Sequence, residues 1–475
     1  MQKGRSTWLI LVAGTVAAAS SALAVSSVGE DLLGERTGGA GTVFETGRNA
    51  FSFPLATLAD AERTRFAIGN SFFRRNWVEA PASTTARDGL GPHFIARSCG
   101  GCHVQDGRGA PPDWTKGEQP VGLLIRLSVP GLGAHGGVVP DPVYGDQLNV
   151  SAIQDVTPEG RVGVRWHSIE VRFDDGTPFT MRQPQYVLSD LSYGPLAKDA
   201  MLSPRIAPQL AGVGLIEAIP ESAILANEAK QSAAPGPIKG KANRVWDAYA
   251  REMRAGRFGW KANVASLAHQ TAGAFVGDMG ITSSLFPDEA CMPSQADCLA
   301  APRGLDAEGN PEIDDNTFGN VVFYQATLAP AARRHARDPQ VLEGQKLFER
   351  AQCAVCHTPS YVTGKRPFPK LSSPAVEAQR IWPYTDLLLH DMGEALADGR
   401  PDFAANGRQW KTAPLWGIGL IRDVNGHQRL LHDGRADGVL EAILWHGGEA
   451  EESRRFVLGL DKARREALVK FVESL

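Results

Sequence analysis

The chain has 475 residues, which is enough for two or three domains, each with its own hydrophobic core. Hydrophobic residues make up 43% of the sequence and charged residues 21%, as in an ordinary soluble globular protein. The formal net charge of -4 argues against a nucleic-acid partner, because a protein that binds phosphate backbones normally presents a basic surface.

The first 24 residues follow the three-part pattern of a secretory signal peptide. Lys3 and Arg5 precede the apolar stretch WLILVAGTVAAAS, and the small residues ALA at 22–24 follow it. The apolar stretch is short and rich in alanine for a membrane span, so we expect cleavage after Ala24; a retained anchor is the alternative. The mature protein is then expected in an oxidising compartment, the bacterial periplasm, with no membrane span after processing.

Four of the six cysteines lie in two copies of the pattern Cys-x-x-Cys-His, CGGCH and CAVCH. At the cysteine and histidine content of this sequence, one such pattern is expected by chance only about 0.002 times, so two copies are not accidental. The residues in these motifs are Cys99, Cys102 and His103 in the first copy and Cys353, Cys356 and His357 in the second.

Four kinds of site contain two cysteines at this spacing: a zinc knuckle, a redox dithiol, a disulfide loop and a covalently attached haem. Zinc ribbons bring two knuckles within about 15 to 20 residues, whereas these copies begin 254 positions apart. A redox dithiol does not require the histidine. In a c-type haem site, the thiols add to the two porphyrin vinyl groups and the imidazole binds the iron. The sequence therefore predicts two covalently bound c-type haems.

The segments around the motifs predict a mainly α fold with a small β-rich insertion in its N-terminal half. Alternating runs between about 121 and 195 indicate the strands, whereas 238–256, the segment before the second motif and the C-terminus have helical spacing. The phrase APQLAGVGLI near 207–216 is similar to APLWGIGLI near 413–421. We therefore expect two diverged copies of a c-type haem unit, at 25–320 and 321–475.

The third cysteine pair has no histidine beside it. Cys291 and Cys298 flank the sequence MPSQAD, whose proline, serine and aspartate favour a loop. In an oxidising compartment the simplest prediction is a local disulfide, and a metal site is the alternative.

Each haem iron has a second axial position, and the residue that fills it separates electron transfer from chemistry on a small ligand. His446 ends an apolar helical stretch before two glycines and is a candidate ligand for the second haem; a helix-capping surface histidine is the alternative. His390 follows an apolar run and is more typical of a hydrogen-bonded core histidine. For the first haem, His135 on a glycine-rich loop and the acid Glu217 are weaker candidates.

The motifs together resemble a known group. The order CxxCH, CxxCH, TAPLWGIG and LLHDGRADGVLEAI is similar to the bacterial dihaem cytochrome c peroxidase superfamily. Within it, the chain resembles the dihaem oxidoreductase family, sometimes labelled thiol oxidoreductase, and the resemblance extends over about 90 to 450. The phrases that carry it are DGLGPHFIARSCGGCH, PDPVYGDQL, GLIEAIPE, GRFGWKA, DMGITSSLFP, PYTDLLLHDMG and LHDGRADGVLEAILWHGGEA.

The resemblance implies two cytochrome c-like domains with their haems facing a common interface. It implies that the haem of His103 reacts with peroxide, that the haem of His357 receives electrons, and that His446 stands where the peroxidases have a methionine ligand. Glu217 is the nearest match to the acid that the superfamily uses beside its reactive haem.

We therefore expect a periplasmic dihaem c-type oxidoreductase of the peroxidase type, in which electrons pass from the C-terminal haem to the N-terminal one. Its expected partners are a small periplasmic redox donor and peroxide or another small oxidant. The alternatives are a pure electron-transfer cytochrome and a dihaem oxidase that acts on a protein or an organic substrate. Thiol oxidation is not expected, because haem attachment and the disulfide use all six cysteines.

Overall fold

The computed structural model describes residues 1, 31, 33–305 and 308–475. The predicted signal peptide at 1–24, with its alternative as a retained anchor, lies almost entirely outside the described residues. Leu33–Leu475 forms one compact unit, separate from Met1–Leu32. Among the residues described, no helix is long and apolar enough to cross a membrane.

Thirteen α-helices occur in the described chain. They are α1 (Asp60–Arg74), α2 (Cys99–Cys102), α3 (Val213–Glu217), α4 (Glu221–Ala233), α5 (Leu267–Asp278), α6 (Ala296–Ala300), α7 (Asp315–Ala326), α8 (Pro339–Arg350), α9 (Cys353–Cys356), α10 (Ile421–Asn425), α11 (Val439–Leu444), α12 (Glu451–Leu458) and α13 (Lys462–Ser474). Single 3-10 turns stand at Gly39–Gly41, Val104–Asp106, Trp114–Lys116, Ala134–Gly136, Pro374–Val376, Glu394–Leu396, Ile418–Leu420 and Gly448–Ala450.

The strands of the described chain form seven antiparallel pairs. The pairs are β1 (His93–Phe94) with β3 (Ser151–Ala152), β2 (Leu123–Ser128) with β6 (Met201–Ile206), β4 (Arg161–Arg172) with β5 (Pro178–Ser189), β7 (Arg244–Asp247) with β8 (Glu252–Ala255), β9 (Tyr361–Val362) with β10 (Arg380–Ile381), β11 (Leu389–Asp391) with β12 (Gln409–Lys411), and β13 (Arg429–Leu430) with β14 (Ala436–Asp437).

The prediction of a mainly α fold is wrong, because the chain is only 31% helical and 18% strand. Many strands are two to four residues long, too short to show the alternating pattern by which a strand is recognised in sequence. Strands do occur where alternation was visible, in β2 and in the long β4–β5 hairpin. The segment 238–256, which was predicted to be helical, instead contains the β7–β8 hairpin, and this is one place where the helical estimate failed.

Two helix pairs are packed through the same kind of contact. In α1, Gly69 lies so close to α7 that an added Cβ would stand 2.1 Å from the Asn320 carbonyl oxygen. In α8, Gly344 lies equally close to α13, where a Cβ would stand 1.9 Å from the Ala467 carbonyl oxygen. Glycine is therefore required at both crossings, since any side chain would push the helices apart.

The repeated sequence phrase occupies equivalent places beside the two helix pairs. A Cβ added at Gly214 would stand 1.9 Å from the carbonyl oxygen of Ala326, the last residue of α7. A Cβ added at Gly419 would stand 1.9 Å from the carbonyl oxygen of Glu473, at the end of α13. The internal similarity of the sequence thus corresponds to a repeated packing arrangement.

Two large hydrophobic clusters form the core, and each contains residues from both halves of the chain. Trp416 belongs to the cluster around α1, α5 and α7, whereas Phe51 and Phe173 belong to the cluster around α8 and α13. The tip of the β4–β5 hairpin is also held by the C-terminal half, through an ion pair of 2.8 Å between Asp175 and Arg465. The division into two haem domains near residue 320 stays a prediction.

The predicted disulfide is confirmed. Cys291 and Cys298 are bonded, and their Cα atoms lie 5.7 Å apart. The other four cysteines are not joined to one another, so the motifs do not form disulfide loops.

Candidate functional site

The first motif forms a four-residue helix, α2, that ends directly at His103. The Nδ1 of His103 lies 2.8 Å from the carbonyl oxygen of Pro208. Because a carbonyl can only accept, Nδ1 carries the proton and the lone pair of Nε2 remains available for a metal. Phe73 of α1 packs near the imidazole, with ring centres 6.3 Å apart.

The second motif repeats this geometry. It forms α9, and the Nδ1 of His357 lies 3.0 Å from the carbonyl oxygen of Tyr384. Phe348 of α8 stands where Phe73 stands in the first site, with its ring centre 6.2 Å from that of His357. Burial lowers the pKa of His357 to about 4, so its Nε2 is unprotonated at neutral pH. Each histidine is therefore oriented as a metal ligand whose other nitrogen is fixed by a backbone carbonyl.

The motif thiols are not set up as nucleophiles. Burial raises the pKa of Cys99 and of Cys353 to about 12, and it also raises the pKa of Cys102 and Cys356. A reactive cysteine needs a lowered pKa, because the thiolate is the attacking form. Protonated thiols beside an oriented imidazole instead suit the attachment of haem.

A cavity of about 1380 Å³, including its open mouth, lies beside the second motif. Cys353, Cys356 and His357 line one part of it, and His446 lines it as well. The rest is largely apolar, with side chains such as Ile418, Leu430 and Val439. The apolar lining suits a flat cofactor with apolar faces.

His446 is oriented like the two motif histidines. Its Nδ1 donates to the carbonyl oxygen of Ala442 over 2.7 Å, which leaves Nε2 as an available donor atom in the cavity. Two other histidines line the same cavity. His432 is stacked on Trp410 with ring centres 3.8 Å apart, and His390 is held by two carboxylates. Among the described histidines that line the cavity with His357, His446 therefore has the ring nitrogen best prepared to bind a metal.

His390 forms a charged hydrogen-bond network behind the second motif. Its Nε2 lies 2.9 Å from Asp386, its Nδ1 lies 2.7 Å from Glu449, and Cys356 Sγ is 3.7 Å away. Although burial alone disfavours the charged form, these partners raise the pKa of His390 well above its usual value. Cys356, Asp386 and His390 are close enough together to hold a metal ion. However, a protonated imidazole cannot bind one, so the cluster is better described as an ion-pair network.

The charged side chains that line the cavity are all basic. Arg108, Lys411 and Arg454 line it, and none of the described residues in its lining is an aspartate or a glutamate. A c-type haem carries two carboxylates and offers two vinyl carbons for thiols and an iron for imidazoles. The donor atoms, apolar walls and positive charges of this cavity therefore fit a haem.

Family comparison agrees with this geometry. A family model described as "Di-haem oxidoreductase, putative peroxidase" matches residues 33–148 and 154–475. The chain belongs to this dihaem oxidoreductase family. The predicted family is thus confirmed, and haem is the cofactor that membership implies.

Other comparisons add little to this dihaem oxidoreductase. No curated protein matches it. Among solved structures, it is similar to hydrazine synthase of Kuenenia stuttgartiensis pressurised with xenon at 20 bar, with 12% identity and a TM-score of 0.29. That likeness covers 92% of this chain and 96% of the other, but a TM-score this low carries no argument about fold or activity.

The two motif sites of the dihaem oxidoreductase are linked through a single peptide. Pro208 accepts the hydrogen bond from His103, and the next residue, Gln209, lines the cavity of the second site. Trp260 also lines that cavity, whereas Trp416 is buried in the core around α1 and α7. Pro208 and Gln209 therefore give a short covalent connection between the two sites.

Glu217 is buried, with 5% of its surface exposed, at the end of α3. Its Oε1 accepts the Leu267 N–H over 2.8 Å, and burial raises the pKa of the carboxyl to about 7. α5 begins at Leu267 and ends at Asp278, whose carbonyl oxygen accepts the Ile95 N–H just before the first motif. No hydrogen bond or ion pair among the described residues joins Glu217 directly to the motif.

Some predicted candidates have structural roles, and some site residues were not predicted. His135 stacks on Trp246 with ring centres 3.9 Å apart, away from both motifs. His390 has the hydrogen-bonded core role that its sequence context favoured. Arg108 and Lys411 were not predicted, although Arg108 stands only five positions after His103.

Proposed function

We propose that this dihaem oxidoreductase is a periplasmic enzyme of the peroxidase type with two covalently attached c-type haems. The observation that carries the proposal is the repeated donor set, in which two thiols stand beside an imidazole whose Nδ1 is held by a carbonyl. Each thiol would add its S–H bond across one vinyl group, forming a thioether. Haem supplies redox chemistry and an axial position for a ligand at each site.

The cavity of the second site is lined by a further histidine besides the motif histidine. At the second site, His446 offers its Nε2 to the cavity that His357 also lines. Two imidazoles at one iron favour electron transfer and a lower potential than histidine with methionine. We propose that electrons from a small periplasmic redox donor enter at the His357 site and continue to the His103 site, where peroxide or another small oxidant is reduced.

Glu217 is proposed to handle the proton at the His103 site. Its Oε1 is occupied by the Leu267 N–H, and its Oε2 has no hydrogen bond among the described residues. A carboxyl with a pKa of about 7 can accept a proton and return it near neutral pH. The helix α5 leads from Glu217 towards the first motif, and the half-buried Gly273 in its middle has no atom within 4 Å of an added Cβ. Open space therefore exists along this helix.

Substitution of Glu217 by glutamine tests this proposal. We expect kcat/KM for peroxide to fall by about 100-fold, a typical effect of removing a general base. In the unchanged protein the carboxyl is protonated below its pKa, so activity should fall as the pH drops through about 7, and this step should disappear in E217Q. The measurement is steady-state peroxide reduction between pH 5 and 9 with a reduced artificial donor.

Glu159→Gln is the matched control, because Glu159 is also buried and burial raises its pKa to about 8, but it bonds to Asn149 and Gln295 instead. E159Q should keep the pH step. If E217Q reduced peroxide with an unchanged rate and pH profile, Glu217 would have no role in proton transfer. Complete inertness of the unchanged holoprotein towards peroxide would instead favour a pure electron-transfer protein.

A further inference from the structure

Arg108 is a buried cation, and no described carboxylate lies within ion-pair distance of it. Its side chain is 5% exposed, its Nε donates to the carbonyl oxygen of Arg429 over 2.6 Å, and one terminal nitrogen donates to the carbonyl oxygen of Leu431. The nearest relevant acid, Asp433, is held instead by Arg435 at 3.0 Å. Burying an unpaired charge is costly, so a site of this kind calls for an anion.

Lys411, which is half-buried, is a second cation in the same cavity. It lies at the end of β12, and no carboxylate of the described chain lies within ion-pair distance of its Nζ. Burial lowers the pKa of Lys411 to about 8, so the ammonium form still predominates at neutral pH.

A third cation, Lys261, has a carboxylate partner within the protein. Lys261 is fully buried behind Trp410, and its Nζ lies 2.8 Å from Asp398 and 2.7 Å from the carbonyl oxygen of Arg400. Lys261 therefore has its counter-ion within the protein, whereas Arg108 and Lys411 face a cavity that offers none. The missing partner of these two cations is expected to come from what fills the cavity.

Both cations adjoin one tryptophan. The guanidinium of Arg108 lies over the Trp260 ring, 5.0 Å from its centre. The backbone N–H of Lys411 donates to the carbonyl oxygen of Trp260 over 2.8 Å. The Arg108 side chain and the Lys411 backbone therefore both contact Trp260, and both residues line the same cavity. A ligand with two anionic groups could pair with both cations.

We propose that Arg108 and Lys411 bind the two propionate carboxylates of the haem attached at Cys353 and Cys356, and thereby raise the reduction potential of that haem. This inference rests on the haem attachment proposed above. A haem carries two propionates, which matches two cations in the lining of one cavity. Positive charge close to the iron disfavours its oxidised form, so the pair offsets part of the low potential that two imidazole ligands confer.

Arg108 also connects this charge to the first site. It follows His103 by five positions and reaches the backbone carbonyls of Arg429 and Leu431 in the C-terminal half. One side chain from the first motif's own segment thus helps to set the potential of the second haem.

The test is an optical redox titration of the holoprotein and of the variants Lys411→Met and Arg108→Gln. Each variant should lower the midpoint potential of the low-spin haem, and the double variant should lower it further. Arg108→Lys keeps the charge and should restore most of the potential. Lys346→Met is the matched control, since Lys346 is 71% exposed on α8, and it should leave the potential unchanged.

The proposal would be overturned if the midpoint potentials of K411M and R108Q equalled those of the unchanged protein and of K346M. A titration of K411M alone is decisive if R108Q fails to fold, because Lys411 is only half-buried. A denaturing gel stained for haem, run on the same samples, tests the attachment separately. Covalently attached haem should stay with the denatured chain. Loss of haem from the unchanged protein on that gel would refute the proposed attachment, whatever the variants show.

Discussion

At each motif the histidine is oriented by a backbone carbonyl far away in the sequence, Pro208 for His103 and Tyr384 for His357. The spacing of the motif residues predicts which side chains meet the cofactor. It cannot predict these acceptors, because any residue has a carbonyl and only the folded chain decides which one lies within 3 Å. Arg108 and Lys411 escaped prediction for a similar reason, since only the cavity shows that they lack a carboxylate partner.

Substitution of His446 tests whether it is the second ligand at the His357 site. In His446→Ala, one of the two haems should change from low to high spin, because no other described histidine that lines the cavity with His357 has a ring nitrogen as well oriented. His446→Met should keep a low-spin haem and raise its potential, since methionine raises the potential of a haem relative to histidine. Absorption and electron paramagnetic resonance spectra provide the measurement.

His432→Ala is the control for this substitution. His432 lines the same cavity but lies flat against Trp410, and it should not be a ligand. A low-spin spectrum that persists in H446A and is lost in H432A would assign the ligand to His432 and contradict the present account.

At the scale of elements, the repeat visible in the sequence has a clear physical basis. Both helix crossings require glycine, at Gly69 and Gly344, and both copies of the repeated phrase pack a glycine against the end of the partner helix. Helices with long amphipathic patterns, such as α8 and α13, could be predicted from their spacing. The short strand pairs could not, because two residues show no period and their pairing depends on contacts that are distant in the chain.

The close helix crossings predict that larger residues at Gly69 and Gly344 destabilise the protein. Gly69→Ala and Gly344→Ala should each lower the free energy of unfolding by about 1 to 3 kcal/mol, the usual cost of overpacking, because the added Cβ would collide with a backbone carbonyl. Urea denaturation followed by circular dichroism provides the measurement. Gly319→Ala is the control. Gly319 lies in α7, and a Cβ added there would meet its nearest atoms only at 3.5 Å.

G319A should be neutral or stabilising by up to about 1 kcal/mol, since alanine is the better helix former. If G69A and G344A were as stable as G319A, the two crossings would not be as close as the structure has them.

At the scale of the whole molecule, the two motif sites belong to one compact unit, Leu33–Leu475, whose cores draw on both halves of the chain. Pro208 and Gln209 lead from one site to the other, and Arg108 spans the same interval. Such proximity suits two redox centres that act in sequence. The sequence predicted the two centres, whereas their linkage through this segment became visible only in the fold.

The most direct test of the account is the spin state of the two haems in the purified holoprotein, followed by their reaction with peroxide. We expect one low-spin haem, with His357 and His446 as ligands, and one high-spin haem at His103 that reacts rapidly with peroxide. Electron paramagnetic resonance and rapid-mixing absorption spectra measure both properties. Two low-spin haems that do not react with peroxide, even after one of them is reduced, would contradict the peroxidase-type function.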